Sequence, residues 1–346
     1  MKKKTIIVIA IVALFAIIVA GIGAKQYYHY EVSNFTSING EEHTYFITHE
    51  MTRDSILALL TQDYAIESDL AWELTCQHMQ FKKAKIGYYK LPAQISNRVV
   101  VRRFLLGEQT PYKLSFTQNI RTREELASHL GNKLHIDSAE IKLRLDSEDF
   151  MAKYGLNPQT AVCMFIPNTY EVYWTITVDK LFDRMYKEYK HFWNEERLNK
   201  ADKMGFSPTE VATLASIIAS ETNKSFEYPI VASIYINRVR KNIPLQACPT
   251  VIFAVGDFSI RRVLNKHLEF DSPYNTYKYR GLPPGPIRLT RPELLDAVLN
   301  APETDYLFMC ANPDFSGTHI FSSSYVKHQA VARRYQQELN KRKIQH

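Results

Sequence analysis

The sequence predicts an α+β protein with an N-terminal transmembrane helix, a strand–helix–helix–strand region used twice, and a mainly helical α+β C-terminal domain. Three observations predict this architecture: an uncharged run near the N-terminus, a self-similarity at a fixed offset, and long helical patterns after Val178. The 346 residues are enough for two or three domains, each with its own core.

The uncharged run from Thr5 to Ala24 follows Met1-Lys-Lys-Lys4. About 20 helical residues at 1.5 Å each span the roughly 30 Å hydrocarbon layer. A cleaved signal peptide would have a shorter apolar core and a small residue where Ile22 stands, so we expect an uncleaved anchor. Because lysines precede the span, residues 1–4 are predicted to be cytoplasmic and everything after Lys25 to be exported.

The next region resembles itself at an offset of 70 residues, since segment 46–56 aligns with segment 116–126. Each copy begins with a short extended segment, then a threonine in N-cap position, an acid two or three residues later and helical spacing of apolar residues. A serine then starts a second helix, and a strand ending in proline closes the copy. These features are Thr52, Ser68 and strand 87–92 in the first copy, and Thr122, Ser138 and strand 163–167 in the second. Chance similarity between two amphipathic units is the alternative.

The C-terminal region is predicted to be mainly helical. Ser207, Pro208 and Glu210 form a strong helix start, with a capping serine, a first-turn proline and a glutamate at the third position. The predicted helices cover residues 178–199, 208–221, 226–241, 292–300 and 323–343, and the predicted strands cover 306–310 and 319–321.

Composition and motifs exclude several classes of function. The net charge of +7 favours an anionic partner or surface, but no basic stripe or recognition motif indicates nucleic acid. The chain contains no HExxH, no GxSxG and no phosphate-binding glycine loop. Ser324–Lys327 fits SxxK, but the companion motifs of that class are missing. The four cysteines form no CxxC pair, which argues against a zinc site; buried free thiols are the preferred interpretation, with disulfides left open.

Glu221 ends an apolar helix and has two interpretations. It could be an ordinary acid at a helix end, facing water. Alternatively, burial and the negative end of the helix dipole raise its pKa, because both disfavour the carboxylate anion. A neutral carboxylic acid of this kind can protonate the leaving oxygen of a glycosidic bond.

The residues after Glu221 favour the chemical interpretation. Asn237, Gln246, Asn275 and Tyr277 supply amide and phenol groups of the kind that line sugar-binding grooves. Each of these residues taken singly is more often structural, with Asn237 as a core hydrogen-bonding residue and the Pro283–Pro286 loop as a turn.

In this combination and order, the sequence resembles the endolytic murein transglycosylases of the MltG/YceG-like family. The resemblance covers essentially the whole chain and includes the anchor and a LysM-like region. The matching segments are Phe165–Tyr170, Ala215–Thr222, Ile236–Arg238, Leu245–Gln246, Pro249–Thr250, Tyr274–Tyr277, Gly281–Gly285 and His319–Phe321. Three departures from the family pattern stand out: Ala219 replaces an acid present in many relatives, Cys248 replaces the usual aspartate, and the glutamate that usually precedes the Phe165–Tyr170 segment is absent.

The resemblance implies a domain plan. Residues 1–4 would be a cytoplasmic tail, 5–24 the anchor, 25–42 a stalk, 43–112 a LysM-like region with a connector, 113–177 a second LysM-like unit, and 178–346 the catalytic domain.

The resemblance also implies an activity. Glu221 would be the sole catalytic acid of a lyase that cuts the MurNAc–GlcNAc bond of nascent peptidoglycan and leaves 1,6-anhydro ends, which limits strand length during wall synthesis. The implied substrate-binding residues are Asn237, Arg238, Gln246, Thr250, Asn275, Tyr277 and His319. No cofactor or metal is implied, and the expected partners are the membrane and cell-wall synthases such as penicillin-binding proteins. The alternative is a non-catalytic, membrane-anchored glycan-binding scaffold.

Overall fold

The computed structural model describes residues 2–117 and 119–342, a mixed α/β chain that is mostly helical. The chain forms two compact units. The first comprises residues 1–114, 133–135 and 170–176, and the second comprises 115–132, 136–169 and 177–346. The segment 113–177, predicted as a second LysM-like unit, contributes residues to both compact units.

The first helix, α1, runs from Lys2 to Glu31 and extends beyond the predicted span. From Lys3 to Lys25 every side chain is exposed. Within Lys3–Glu31, an 18-residue window has a mean hydropathy of 3.2, and the segment is long and apolar enough to cross a membrane. The first part of the predicted stalk is therefore helical. The C-terminal end of α1 packs against the rest of the first unit, since His29 is buried and Glu31 pairs with Arg98 at 2.9 Å.

The rest of the first unit surrounds an aromatic core that includes Phe35, Trp72 and Tyr89. Its elements are β1 (Phe35–Ser37), β2 (His43–Ile47), β3 (Met51–Thr52), α2 (Arg53–Leu60), β4 (Tyr64–Ile66), α3 (Asp69–His78), β5 (Lys83–Ala84), β6 (Gly87–Leu91), β7 (Gln94–Ile95) and α4 (Asn97–Leu106). Strand β1 lies between β4 and β7, β2 pairs antiparallel with β6, and β3 pairs with β5.

The predicted first copy contains β2, α2, α3 and β6 in the order strand, helix, helix, strand, with the short strands β3, β4 and β5 between them. The second copy consists of β8 (Tyr112–Ser115), α5 (Arg123–Lys133), α6 (Ser138–Asp146), α7 (Glu148–Ala152), a 3-10 turn (Ala161–Met164) and β9 (Thr169–Val172). Strand β8 pairs with β9, as β2 pairs with β6. Thr52 and Ser68 cap their helices as predicted, and Thr122 Oγ1 accepts a hydrogen bond from the Glu125 amide at 3.1 Å.

The predicted closing strand at 163–167 is wrong. Backbone hydrogen bonds of the turn type, from Cys163 to Thr160 and from Phe165 to Val162, use donors that a strand ladder would need. The closing strand is β9 instead. Asp137, and not Ser138, caps α6.

The remainder of the second unit, after α5, α6 and α7, is mostly helical and contains one hairpin in the part of the chain that the structure describes. Its elements are α8 (Val178–Phe192), α9 (Glu195–Met204), α10 (Pro208–Glu221), a 3-10 turn (Ser225–Glu227), α11 (Tyr228–Arg240), α12 (Cys248–Val255), α13 (Asn265–Leu268), α14 (Pro292–Leu299), β10 (Phe308–Ala311), β11 (His319–Ser322) and α15 (Tyr325–Lys341). The predicted single helix 178–199 is wrong, because Asn194 caps a new helix by accepting a hydrogen bond from the Arg197 amide. Helices α12 and α13 were not predicted.

Helix α10 forms the centre of the second unit and has the predicted bounds. Ser207 and Glu210 make the predicted capping box at its start. Every residue from 211 to 219 is buried, and the helix contacts α9, α11, α12 and α14. Ser216 Oγ also accepts a hydrogen bond from the Ile287 amide at 3.0 Å. The surrounding contacts hold the last turn of α10 in place, and with it Glu221.

Candidate active site

Glu221, the last residue of α10, projects into a cavity of about 320 Å³. Helices α11, α12 and α15, strand β10, and the loops that carry Gln246 and Tyr277 supply the other walls. Glu221 is the only carboxylate among the described residues that line it. Those residues are Glu221, Ile234, Tyr235, Arg238, Leu245, Gln246, Cys248, Tyr277, Leu307, Phe308, Met309 and His328.

Tyr235 controls the environment of this carboxyl group. It is buried on α11, and its hydroxyl donates a hydrogen bond of 2.9 Å to Glu221 Oε1. Burial raises the pKa of Glu221, as expected from the sequence, while the Tyr235 hydrogen bond and the charge of His319 oppose the rise. The pKa of Tyr235 is raised well above its ordinary value by burial and by Glu221, so the phenol remains a donor. Oε2 of Glu221 has no hydrogen-bond partner within the described ranges.

Arg238 lies one helical turn beyond Tyr235 and faces the same cavity. Its Nε donates to the Leu307 carbonyl at 2.7 Å, and its Nη1 donates to the carbonyls of Pro244 and Leu245. These bonds tie α11 to the chain on either side. Nη2 forms no hydrogen bond with the part of the chain described, so one edge of the guanidinium remains available to a ligand.

Gln246 also lines the cavity and is exposed. Its φ of +53° is uncommon for a residue with a side chain. The backbone is held there because its amide donates to the Thr276 carbonyl at 3.1 Å, and Oε1 accepts a 3.3 Å bond from Arg238. This leaves the side-chain NH₂ group of Gln246 as a donor toward the cavity.

Tyr277 and Cys248 form the opposite wall, with Cys248 Sγ and Tyr277 Oη 3.2 Å apart. Burial raises the pKa of both side chains, so both are protonated near neutral pH. All four cysteines are free, and Cys248 is exposed where the sequence favoured a buried thiol.

Thr250 and Asn275 lie beneath the cavity and not in it, since both are fully buried. Thr250 Oγ1 and Thr276 Oγ1 are 2.8 Å apart and link the start of α12 to the loop that carries Tyr277. Asn275 donates to two carbonyls of the preceding segment, and its Oδ1 accepts from the Tyr277 amide at 3.1 Å. Both residues therefore position Tyr277.

Asn237 is likewise used internally, outside the cavity lining. Its amide donates to the carbonyls of Thr304 and Tyr306, at 2.8 and 3.0 Å, and so fixes the segment before β10.

His319 belongs to a second cluster behind the end of α10. Its backbone amide and Nδ1 contact the carboxylate of buried Glu227 at 2.6 and 2.9 Å. Thr222, which directly follows Glu221, donates to the same carboxylate at 2.8 Å. Burial alone would raise the pKa of Glu227, but the bonds from His319 and Thr222 hold it below its usual value. His319 thus braces the turn after Glu221 and does not line the cavity.

Three further residues of these clusters, Tyr235, Glu227 and His328, were not predicted from the sequence. The sequence did contain a signal for Tyr235, because it stands three residues before Arg238 in a predicted helix and must lie on the same helix face as Arg238. His328 left none, since α15 reaches the cavity only through the tertiary fold, where the ring stacks on Phe308 at 5.3 Å. No group of three side chains suited to a metal ion occurs in the described part of the chain.

A family model described as YceG-like matches residues 45–334, which is most of the chain. The chain belongs to the YceG-like family. The predicted family is confirmed, and the match spans both structural units, including Glu221 and every other predicted site residue.

Relatives of this YceG-like chain carry a functional name. It is 25% identical over 297 residues to a protein named endolytic murein transglycosylase from Bacillus subtilis strain 168, covering 81% of each chain. A protein of the same name from Streptococcus pneumoniae D39 is 21% identical, with 88% of this chain and 61% of that one aligned. The crystal structure of a YceG-like protein from Listeria monocytogenes superimposes with a TM-score of 0.57 at 25% identity, over 84% of this chain and 99% of that one.

Proposed function

We propose that this protein is a membrane-anchored endolytic lytic transglycosylase. It would cleave the bond between MurNAc and GlcNAc within nascent glycan strands and leave 1,6-anhydro-MurNAc ends. Membership of the YceG-like family and the shared name of the relatives support this proposal. The alternative, a non-catalytic glycan-binding scaffold, has no need of a carboxyl group whose pKa is raised inside a cavity.

The observation that carries the proposal is the state of Glu221. Its pKa is raised, one oxygen accepts the Tyr235 bond, and the other oxygen faces the cavity without a protein partner in the described ranges. An acid held neutral with a free oxygen is suited to proton donation. A hydrolase that inverts the sugar would need a second carboxylate to activate water, and the described cavity lining holds only one.

The reaction then has two proton transfers through one carboxyl group. Glu221 donates its proton to the glycosidic oxygen, the C1–O bond breaks, and the GlcNAc side leaves as an alcohol. The carboxylate left behind takes the proton from the muramyl C6 hydroxyl as that oxygen bonds to C1. The anhydro ring closes, Glu221 recovers its proton, and no water or cofactor is consumed. Tyr235 stabilises the intermediate carboxylate, because a hydrogen bond to a charged acceptor is stronger than one to a neutral acceptor.

The cavity offers three groups for holding the sugars. These are the NH₂ group of Gln246, the hydroxyl of Tyr277 and the free guanidinium edge of Arg238, which suits a lactyl or peptide carboxylate. Asn237, Thr250, Asn275 and His319 would support binding through the backbone segments they hold.

The anchor would keep the enzyme at the site of glycan synthesis. Helix α1 passes through residues 5–24, which we propose cross the cytoplasmic membrane with the N-terminus inside. The rest of the first unit, from Lys25 on, and the second unit would then lie outside the cytoplasm, beside the synthases, including penicillin-binding proteins, that supply nascent strands.

The test is the Glu221→Gln variant, which keeps shape and hydrogen bonding but cannot transfer the proton. General acid–base catalysis is worth about 100- to 10,000-fold in rate, so the rate at which anhydro ends form should fall by a factor of about 100 or more. Mass spectrometry of purified strands after incubation measures these ends, and binding to the strands should persist.

The matched control is Glu195→Gln, which makes the same chemical change at an exposed position on α9. Its activity should equal that of the wild type. Anhydro ends formed at wild-type rates by the Glu221→Gln variant would show that Glu221 is structural and would end this proposal.

A further inference from the structure

A groove of about 290 Å³ lies between the C-terminal end of α1 and the outer side of α3. Tyr27 and Tyr30 form its α1 side, and Leu74, Thr75 and His78 form its α3 side. Both helices belong to the first unit. In the described part of the chain, the groove shares no lining residue with the candidate active site, so the proposed reaction does not account for it.

The outer side of α3 is more apolar than packing in the core requires. The inner side of the helix carries Trp72 and Cys76, which are buried in the aromatic core. Leu70 and Leu74 stand one turn apart on the other side and are 55% and 46% exposed. A helix on the surface of a soluble domain normally turns polar side chains outward. A second apolar side therefore indicates a second apolar environment.

The proposed anchor places this groove at the membrane surface. Residues 26–30 lie about 3–9 Å beyond Ala24 along the axis of α1, at 1.5 Å per residue. The headgroup layer on each side of the roughly 30 Å hydrocarbon core is about 5–8 Å thick. Tyr27 and Tyr30 therefore fall in that layer or at its outer edge, where tyrosine is enriched because its ring is apolar and its hydroxyl is polar.

Both ends of α3 are held at the level of this turn of α1. Ser68, the N-cap of α3, donates from Oγ to Gln26 Oε1 at 3.2 Å. At the other end, the ring of His78 lies edge-on to that of Tyr30, with centroids 6.0 Å apart. The ten residues of α3 are about 15 Å long, whereas residues 26–30 cover only about 6 Å of α1, so α3 crosses α1. A helix that crosses the anchor at this level stays near the membrane surface along its length.

The charges next to the groove do not favour an anionic partner. Apart from two histidines, the charged side chains along residues 25–31 and 67–78 are Lys25, Glu31, Glu67, Asp69 and Glu73. Glu31 pairs with Arg98 at 2.9 Å, and Glu73 pairs with Arg53 at 2.7 Å. Acids outnumber bases in these two segments, whereas anionic headgroups attract basic segments. A contact with lipid at this place therefore depends on apolar burial and not on lipid charge.

We infer that this groove and the exposed leucines of α3 dock on the interfacial layer of the membrane that α1 crosses. The inference rests on the proposed anchor, because α1 must span the bilayer for the groove to meet its surface. Leu70 and Leu74 enter the layer beside Tyr27, and the tyrosine hydroxyls stay with the headgroups. A single helix leaves the first unit free to tilt about its exit point, and this second contact fixes the orientation of the unit on the membrane.

The test reads the position of α3 by fluorescence in the full-length protein. Leu70→Trp keeps the site apolar and reports its surroundings, and lipids brominated on the acyl chain quench a tryptophan only on close approach. The protein is placed in vesicles of zwitterionic phosphatidylcholine, with and without bromine. The matched probe is Phe46→Trp, since Phe46 is 48% exposed on β2 of the same unit. We expect bromine to quench the emission added by Leu70→Trp and to leave that added by Phe46→Trp unchanged.

A second change tests the apolar contact itself. In the Leu70→Trp chain, Leu74→Gln removes an apolar side chain from the docked surface, so the ratio of docked to undocked protein should fall about fivefold or more. Leu198→Gln is the matched control, because Leu198 is 43% exposed on α9 of the second unit. It should leave the quenching unchanged. Neither change opens the core, since both leucines are exposed.

Flotation of the vesicles measures the anchor separately. Protein that floats with the vesicles while Leu70→Trp is not quenched would reject the docking and leave the anchor standing. Blue-shifted but unquenched emission would assign the groove to a second copy of this chain, and quenching that needs anionic lipid would show adsorption by charge; each overturns the inference, as does equal quenching of both probes. Protein that does not float would reject the anchor and the docking together. Formation of anhydro ends, measured on the same samples, reports on the transglycosylase activity independently.

Discussion

The protonation of Glu221 depends on a balance among burial, one hydrogen bond and the charge of His319. Burial raises the pKa, and the Tyr235 hydroxyl, 2.9 Å from Oε1, lowers it. If the pKa were too low, Glu221 would be ionised and would have no proton to donate. If the pKa were too high, Glu221 would give up its proton poorly, and the carboxylate that closes the anhydro ring would form slowly. Tyr235 therefore sets the working range of the proposed reaction, although it transfers no proton.

Changing Tyr235 to Phe should move this range. Without the phenol the pKa of Glu221 rises further, so the alkaline limb of the kcat/KM profile shifts to higher pH. The rate at the optimum should fall about tenfold to a hundredfold, because a hydrogen bond to the developing carboxylate, about 1.5–3 kcal/mol, is lost. Tyr228→Phe on the same helix, outside the cavity, is the control. An unshifted alkaline limb would show that Tyr235 does not tune Glu221.

Glu221 should also cost stability at neutral pH. Its folded pKa is raised above the unfolded value, so the folded state loses stability relative to the unfolded state as pH rises through that interval. The melting temperature of Glu221→Gln should therefore match the wild type at pH below the ordinary glutamate pKa and equal or slightly exceed it at pH 7. Scanning calorimetry across pH measures this. A variant that melts lower than the wild type at pH 7 would contradict the raised pKa.

At the scale of elements, α10 and the β10–β11 hairpin are joined by one buried carboxylate. Glu227 accepts bonds from Thr222 at the end of α10 and from His319 at the start of β11. The ends of these two elements would otherwise leave polar groups without partners in a buried region. Glu227 thus fixes the position of the turn that carries Glu221.

Replacing Glu227 by Gln should weaken this joint. Bonds to an ionised acceptor are worth about 1.5–3 kcal/mol, so unfolding at pH 7 should require less free energy. Because the pKa of Glu227 is lowered in the folded state, its contribution is present above the unfolded pKa and is lost as pH falls through the folded one. The difference from the wild type should therefore shrink in acid, as denaturant titrations at several pH values would measure. A constant difference at all pH values would contradict the ionised assignment.

At the scale of the whole molecule, α1 has two physically different parts. Its exposed apolar part fits a membrane, whereas its end is packed into the first unit through His29 and the Glu31–Arg98 pair. Residues 25–31 of the predicted stalk are therefore not a flexible linker, since they continue the same helix from the proposed span into the fold.

Two truncations should separate these parts. A chain beginning at Lys25 should remain in solution without detergent and keep the melting temperature of the first unit, because only exposed side chains are removed. A chain beginning at Asn34 should melt lower, since it exposes the surface that His29 and Glu31 cover. Equal melting temperatures for the two chains would show that residues 25–33 do not support the fold.

The topology of the proposed anchor needs a separate test. A reporter fused after His346 should be active only outside the cytoplasm, and carbonate washing should leave the full-length protein in the membrane fraction. Reporter activity in the cytoplasm would overturn the orientation.

The sequence by itself determined the features that local chemistry dictates. Ser207, Pro208 and Glu210 start α10 because capping depends on neighbours within one turn, and the apolar residues of α10 imply a central helix. The family resemblance rested on ordered motifs, which a family model covering residues 45–334 confirms. Both kinds of information lie in contiguous residues, so no folding was needed to find them.

Tertiary structure alone decided which polar groups face the cavity. Thr250 and Asn275 belong to sequence motifs, yet their side chains are buried and donate to backbone carbonyls, while His328 reaches the cavity from the terminal helix. Sequence spacing fixes a side chain's place along its own element, but not the direction from which another element approaches. That direction depends on packing among distant segments, because each buried polar group must find its partner wherever the folded chain brings one.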